Sequence, residues 1–436
     1  MSEITTVLLC LQPLLNTAHF RQLTVVCEAM FMMQGRVTML GISRWTRKGG
    51  SYRTIQRFFL SAINWEALNW ALIKPLFCQQ AGTILIAGDA TTVTKAGKKT
   101  HGLGRFFSSI YSRTVPGIAF QTLSLIDVGN RCSWPILLEQ MAPPVKKEKA
   151  KKSAKSKEKR PRGRPKGSKN KNHRDVTLNE EMRQVQSMLK RLLTLVGDTL
   201  QPIYFVYDGA FGNNAAVQMT RQVGLHLISK LRNNSALYFE WDGVYSGKGR
   251  YPRYGKRVDY SAIPARFLKS DQTQKQVRTQ IYQLTGVHKT FADKLNVVII
   301  HKHNQKTGKS ARVILFSTDL DLDWELLVDY YRLRFQIEFN FRDAKQHWGL
   351  EDFMVVSQQA VNNAAQLSLF MVNLSQAIMA GSGETSILDL KARHHGLRYA
   401  QEAFKILPQT ADVISFSDWV KKIPVLGSIH RQKMAA

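Results

Sequence analysis

The sequence predicts an α/β fold, a buried sheet with helices before, between and after its strands. Two observations carry this. Five short apolar runs, Thr83–Ala87, Ala119–Ile126, Trp134–Leu138, Ile203–Tyr207 and Leu225–Ser229, look like strands of a largely buried sheet. The first 80 residues instead place apolar side chains such as Leu8, Leu11 and Leu15 at helical spacing. With 44% hydrophobic residues in 436, the chain can fill a sizeable core, enough for roughly two to four compact units.

Taken in order, residues 1–80 form a helical segment. After the Arg47-Lys48-Gly49-Gly50 loop, Ser51 is suited to cap a helix carrying Arg53 and Arg57 four apart on one face. That face reads equally well as a helix-turn-helix-like DNA contact or as a solvated surface. Residues 81–145 hold the first strands of the core, and 146–174 interrupt it. This stretch has fifteen Lys or Arg against Glu148 and Glu158, a net +13, and no large apolar side chains, so it cannot offset its own chain entropy and is expected to be disordered when free. Inside it, Pro161-Arg162-Gly163-Arg164-Pro165 resembles an AT-hook: Arg162 and Arg164 fit the narrow, negative minor groove of A·T tracts, and Gly163 lets the backbone approach its floor. The core resumes over 175–232, with a helix from about Asn179. A β-rich insertion spans 233–311, where tyrosines alternate with Lys and Arg in a pattern suited to phosphate contact and base stacking, or to ordinary packing of a small sheet. Residues 312–380 complete the core and end in a buried helix around Leu367–Ala380; 381–436 read as a helical C-terminal part.

The formal charge of +30 points to a polyanionic partner, since clustered Lys and Arg gain affinity by releasing counterions from phosphates. No apolar run reaches the roughly 18 residues of a membrane span. The start, Met1-Ser2-Glu3, is acidic where a secretory signal is basic, which gives the expectation of a cytoplasmic protein. Cys10, Cys27, Cys78 and Cys132 lie too far apart for a zinc motif and read as reduced core residues.

Asp89 follows the first apolar run after Gly88, and Asp208 directly follows Ile203–Tyr207. Carboxylates at strand ends are held rigidly and open to solvent, as metal ligands need to be. Either alone is equally a turn former. The third element is a helix from about Asp323 to Gly349. At about 100° per residue, Tyr331, Arg334, Glu338 and Lys345 fall in one narrow stripe, beside a core-facing stripe of Leu333, Ile337, Phe341, Ala344 and Trp348.

Tyr331-x2-Arg334-x3-Glu338-x6-Lys345 resembles the Tyr-Arg-Glu-Lys signature of bacterial insertion-sequence transposases of the Asp-Asp-Glu class, in the insertion-sequence four-type superfamily. The match is strong over about forty residues there and looser around Asp89-Ala90-Thr91 and Asp208-Gly209. The resemblance implies an RNase H-like catalytic core, interrupted by the β-rich insertion and preceded by a helical DNA-binding domain. It implies a catalytic triad of Asp89, Asp208 and Glu338, DNA contacts from Tyr331, Arg334 and Lys345, and a homodimer that cleaves inverted-repeat ends and joins them to a target. A bacterial, nucleoid-associated location follows from the same likeness. The basic insertion departs from the group. Independently, three carboxylates without His or Cys form a hard oxygen site suited to Mg²⁺ or Mn²⁺, with Asp89 expected to bridge two ions, Asp208 on one and Glu338 on the other. Two other readings share some of these features: an RNase H-like nuclease or resolvase, and a domesticated DNA-binding protein without catalysis.

Overall fold

The computed structural model describes residues 3–46, 49–77, 82–108, 112–143, 172–245, 247–249 and 251–406, with side chains to 401. The AT-hook-like Arg162 and Arg164, most of the 146–174 segment, Arg47, Lys48 and Cys78 lie outside them.

The N-terminal segment is helical as expected: α1 (Glu3–Leu8), α2 (Thr17–Met32), α3 (Met39–Trp45), α4 (Tyr52–Leu60) and α5 (Trp65–Phe77). Ser51 caps α4 by accepting from the Thr54 N–H, which satisfies a donor the helix leaves unpaired. The strands follow as β1 (Ile84–Thr94), β2 (Gly104–Ser108), β3 (Arg113–Asp127) and β4 (Cys132–Gln140). Then come α6 (Glu180–Val196), β5 (Tyr204–Val206), α7 (Asn214–Gln222) and β6 (His226–Leu231). Asn179 caps α6 through the Met182 N–H.

Every one of the five apolar runs lies on a strand, and three of those strands, β1, β3 and β4, extend well beyond their apolar stretch. Asp89 therefore lies inside β1, opposite Thr122 of β3, and not after its end. Apolarity marks only the buried part of a strand, whereas backbone pairing with β3 carries β1 on to Thr94. The region read as an insertion adds β7 (Leu237–Glu240), β8 (Tyr254–Arg257), β9 (Leu268–Gln274), β10 (Val277–His288) and β11 (Leu295–Asn304), followed by β12 (Ser310–Ser317). These extend the same sheet: β12 pairs antiparallel with β6, and the order runs β2-β3-β1-β5-β6-β12-β11-β10-β7-β8, with β4 on β3 and β9 on β10. Among the described residues only β1–β5 and β5–β6 are parallel. The architecture is a mixed α/β fold around one large, mostly antiparallel sheet.

Strand side chains alternate between the two faces, and each face has its own core. Ile84 and Ile86 point into a large cluster shared with the N-terminal helices, α6 and the long α10 (Gln358–Ser382). Leu85, Ala87, Val206 and Ile228 point into a smaller cluster closed by α8 (Trp324–Leu333), through Leu327, Val328, Tyr330 and Leu333. α10 is buried for nearly its whole length, and its amide side chains satisfy the backbone at the seams. Asn363 donates to the Phe59 and Ser61 carbonyls (2.9 and 2.8 Å) and accepts from the Trp65 indole (2.9 Å), while Gln366 and Asn373 donate to the Leu138 and Pro135 carbonyls of β4 (2.8 and 2.6 Å). α11 (Ile387–Ile406) returns along α2. No helix among the described residues is long and apolar enough to cross a membrane.

Candidate active site

Because Asp89 is two residues beyond Ala87 and Asp208 two beyond Val206, both belong to the face of the sheet covered by α8. β1 and β5 run parallel with Ala87 opposite Val206, so the same register sets Asp208 beside Asp89. β5 stops at Val206 while β1 continues to Thr94, so Asp208 stands just past the end of its strand while Asp89 stands within β1. Asp208 caps the short turn Gly209–Phe211 by accepting from the Ala210 N–H at 2.9 Å, and its carbonyl accepts from the Ser229 hydroxyl at 2.6 Å.

The third carboxylate arrives by a route the sequence did not foretell. The expected single helix is two: α8 ends at Leu333, and α9 (Gln336–Gln346) begins after a tight turn at Arg334–Phe335. Around the break the backbone shifts to shorter three-residue bonds, Phe335 N–H to Arg332 at 3.0 Å, Ile337 to Arg334 at 3.1 Å and Glu338 to Phe335 at 3.0 Å. Both halves keep helical periodicity, so hydrophobic spacing cannot reveal a joint this short. α8 covers β6, β11 and β12, whereas α9 lies across β1 and β4. Buried Asn340 anchors α9 to β4 by donating to the Ser133 hydroxyl at 2.8 Å.

Arg334, at the joint, reaches back over the sheet. Its Nη1 donates to Asp89 Oδ2 at 3.0 Å and its Nη2 to Glu338 Oε1 at 3.2 Å. The arginine side chain is 13% exposed, that of Asp89 22% and that of Glu338 40%. Burial pushes the Asp89 carboxyl above its ordinary range; Arg334 and the Ala90 N–H oppose this, while Asp208 and Glu338 add to it. Burial works against the Arg334 charge, yet Asp89, Tyr331, Glu338 and Asp208 together raise its affinity for the proton. Burial raises the Tyr331 hydroxyl above its ordinary range; Arg334 opposes this, while Asp208 and Asp89 add to it. The four residues of the stripe thus divide. Tyr331, Arg334 and Glu338 gather with Asp89 and Asp208, while Lys345 donates to the Thr92 carbonyl at 3.1 Å and pairs with Glu351 at 3.3 Å. Arg53 and Arg57 are exposed on α4, in the N-terminal segment.

Three residues that sequence reasoning missed shape the site. Gln121 of β3, fully buried, donates to the Asp89 carbonyl at 3.1 Å and accepts from the Tyr207 hydroxyl at 2.9 Å, tying together the strands that carry the two aspartates. A lone amide inside an apolar run was the available signal. Gly88 leaves room for the Tyr207 ring beside β1, where a Cβ would come within 2.7 Å of it. Glu181, in the first turn of α6, is raised by burial and then by the charge of Asp208, which makes it a fourth acidic neighbour.

With Asp89, Asp208, Glu338 and Glu181 against Arg334, the site carries surplus negative charge built from hard oxygen donors, the chemistry that suits Mg²⁺ or Mn²⁺. Among the described residues, no three acidic, His or Cys side chains already stand in a gripping arrangement. The oxygens that such a group would use are instead engaged by Arg334, whose buried Nε has no partner.

The sequence model of the family described as DDE superfamily endonuclease matches residues 10–290, well over half of the chain. The chain belongs to that family. The matched span includes Asp89 and Asp208 and stops short of Glu338. A solved structure similar to this chain is the cryo-EM piggyBac transposase synaptic complex with hairpin DNA. It has 10% identity and a TM-score of 0.39, over 92% of this chain and 79% of that one. No curated protein matches.

Proposed function

We propose that this DDE-family chain is a DNA transposase with the Tyr-Arg-Glu-Lys signature and an RNase H-like core. It binds the inverted-repeat ends of its element as a homodimer, cleaves the boundary and joins the 3′ ends to target DNA, in the cytoplasm at the nucleoid. The observation that supports this is Arg334 bridging Asp89 and Glu338, far apart in sequence, with Asp208 near enough for its charge to act on Asp89. Their carboxylates would hold divalent ions of the Mg²⁺ or Mn²⁺ class, which supply Lewis-acid stabilisation and an activated oxygen nucleophile for in-line phosphoryl transfer. The chain's own part is positioning. β1 and the capped turn after β5 fix the two aspartates to rigid backbone, and α9, locked by Asn340, presents Glu338 from above. Arg334, among the carboxylates, and Lys345, further along α9, suit phosphates of the DNA end, the arginine through its fork and the lysine as a point charge. Tyr331 supports the strand beside the cut.

The test is cleavage of linear DNA bearing the inverted repeats that flank the gene, with Mg²⁺ or Mn²⁺ and with chelator. Asp89→Ala, Asp208→Ala and Glu338→Ala should each lower cleavage by more than the ~10–100-fold that loss of an outer-shell partner of a metal costs. Binding to the ends should persist in gel shifts. A variant that cuts at close to the wild-type rate removes its residue from the site.

A further inference from the structure

We infer that Arg334 is an internal stand-in cation, holding Asp89 and Glu338 until a divalent ion takes their oxygens and then turning to a DNA phosphate. The inference rests on the metal-dependent reading above and adds a coupling between metal loading and DNA binding. Arg334 binds its partners singly, one nitrogen to Asp89 Oδ2 and the other to Glu338 Oε1, and does not lay its fork on one carboxylate. The arrangement is half-satisfied: Nε is buried with no partner among the described residues, in a side chain only 13% exposed. A buried donor without a partner costs free energy, and the single positive charge of Arg334 faces Asp89 and Glu338 with the charges of Asp208 and Glu181 beside them. A divalent ion compensates the same carboxylates with twice the charge. Ion and guanidinium therefore compete for the same two oxygens.

The joint makes such an exchange local. Arg334 and Phe335 sit between two independently anchored helices, α8 on its apolar cluster and α9 on β4, and Phe335 is exposed. Movement of the arginine requires neither helix to leave the sheet. Once released, its donors are on the rim of the site, where the scissile strand would run. Ion binding thus supplies the phosphate anchor, and by linkage DNA must favour the ion to the same degree.

Two measurements on the full-length protein test this. In the metal-free wild type, phenylglyoxal should modify Arg334 slowly, as read by peptide mass spectrometry; Mn²⁺ should speed it severalfold, and added end DNA should protect it again. In parallel, Mn²⁺ binding followed by electron paramagnetic resonance should be at least about fivefold tighter in Arg334→Gln, within the usual range of coupling between sites. Mn²⁺ that binds the wild type with no change in Arg334 labelling overturns this inference and leaves the transposase reading standing. Equal or weaker Mn²⁺ binding in a folded Arg334→Gln overturns it too, and if that variant fails to fold, the wild-type labelling decides. No Mn²⁺ binding sensitive to Asp208→Asn overturns both the inference and the metal-dependent reading beneath it.

Discussion

Gln121 shows how a carboxylate can be braced by a side chain wholly buried behind it. Its amide joins the Asp89 backbone to the Tyr207 hydroxyl across β3, β1 and the end of β5, with no exposure to solvent. Gln121→Leu keeps the volume but strands a buried hydroxyl and a carbonyl, a loss of about 1–3 kcal/mol. Denaturant midpoints should fall accordingly, with an unchanged slope, and cleavage should fall further than stability because Asp89 loses its brace. A variant as stable as the wild type would mean that water or Thr122 replaces the amide. Gly88→Ala strikes the same joint from the other side, since its Cβ meets the Tyr207 ring.

At the scale of elements, α11 shows how the C-terminal helix is fastened to the N-terminal segment. Buried His394 packs on Phe31 of α2 with ring centroids 5.2 Å apart, His395 Nδ1 donates to the Met32 carbonyl (2.7 Å), and Lys391 donates to the Met30 carbonyl (2.9 Å). Burial, aided by Arg393, lowers the His394 pKa from 6.5 to about 4. A histidine whose folded pKa is depressed binds its proton more readily in the unfolded chain. Its contribution is therefore whole above pH 6.5 and is lost as pH falls towards about 4. Thermal midpoints should drop across that window, by the equivalent of about 3 kcal/mol at most from this residue. His394→Leu should flatten the decline. It should not abolish it, because His288, His301 and His347 are lowered in the same direction. An unchanged pH profile in His394→Leu would show that α11 does not sense acid through this ring.

For the molecule as a whole, charge is distributed unevenly: the 146–174 segment holds +13 of the net +30. It joins β4 to α6, two elements that pack on each other, so a short Gly-Ser linker can replace it. Its deletion should leave cleavage at the element ends intact and reduce preference for A·T-rich DNA, as should an Arg162→Ala, Arg164→Ala double variant. Competition between A·T-rich and G·C-rich duplexes measures this. Equal preference in all three proteins would make the segment a nonspecific basic linker.

The α/β class, the five core strands, the Ser51 cap, the start of α6 near Asn179 and the buried α10 were legible because each rests on local periodicity or on a capping residue at a helix start. Asp89, Asp208 and Glu338 were legible as candidates, two by their place against apolar runs and one by its stripe. What local pattern could not carry was decided by pairing and packing. Backbone pairing with β3 extends β1 past its apolar stretch, and the pairing of β12 with β6 makes the supposed insertion a continuation of one sheet. The turn at Arg334–Phe335 breaks a helix whose side-chain spacing reads as continuous, because α8 and α9 must lie on different strands. That break sends Arg334 to Asp89, 245 residues away in sequence, a contact that only the closed sheet brings within reach.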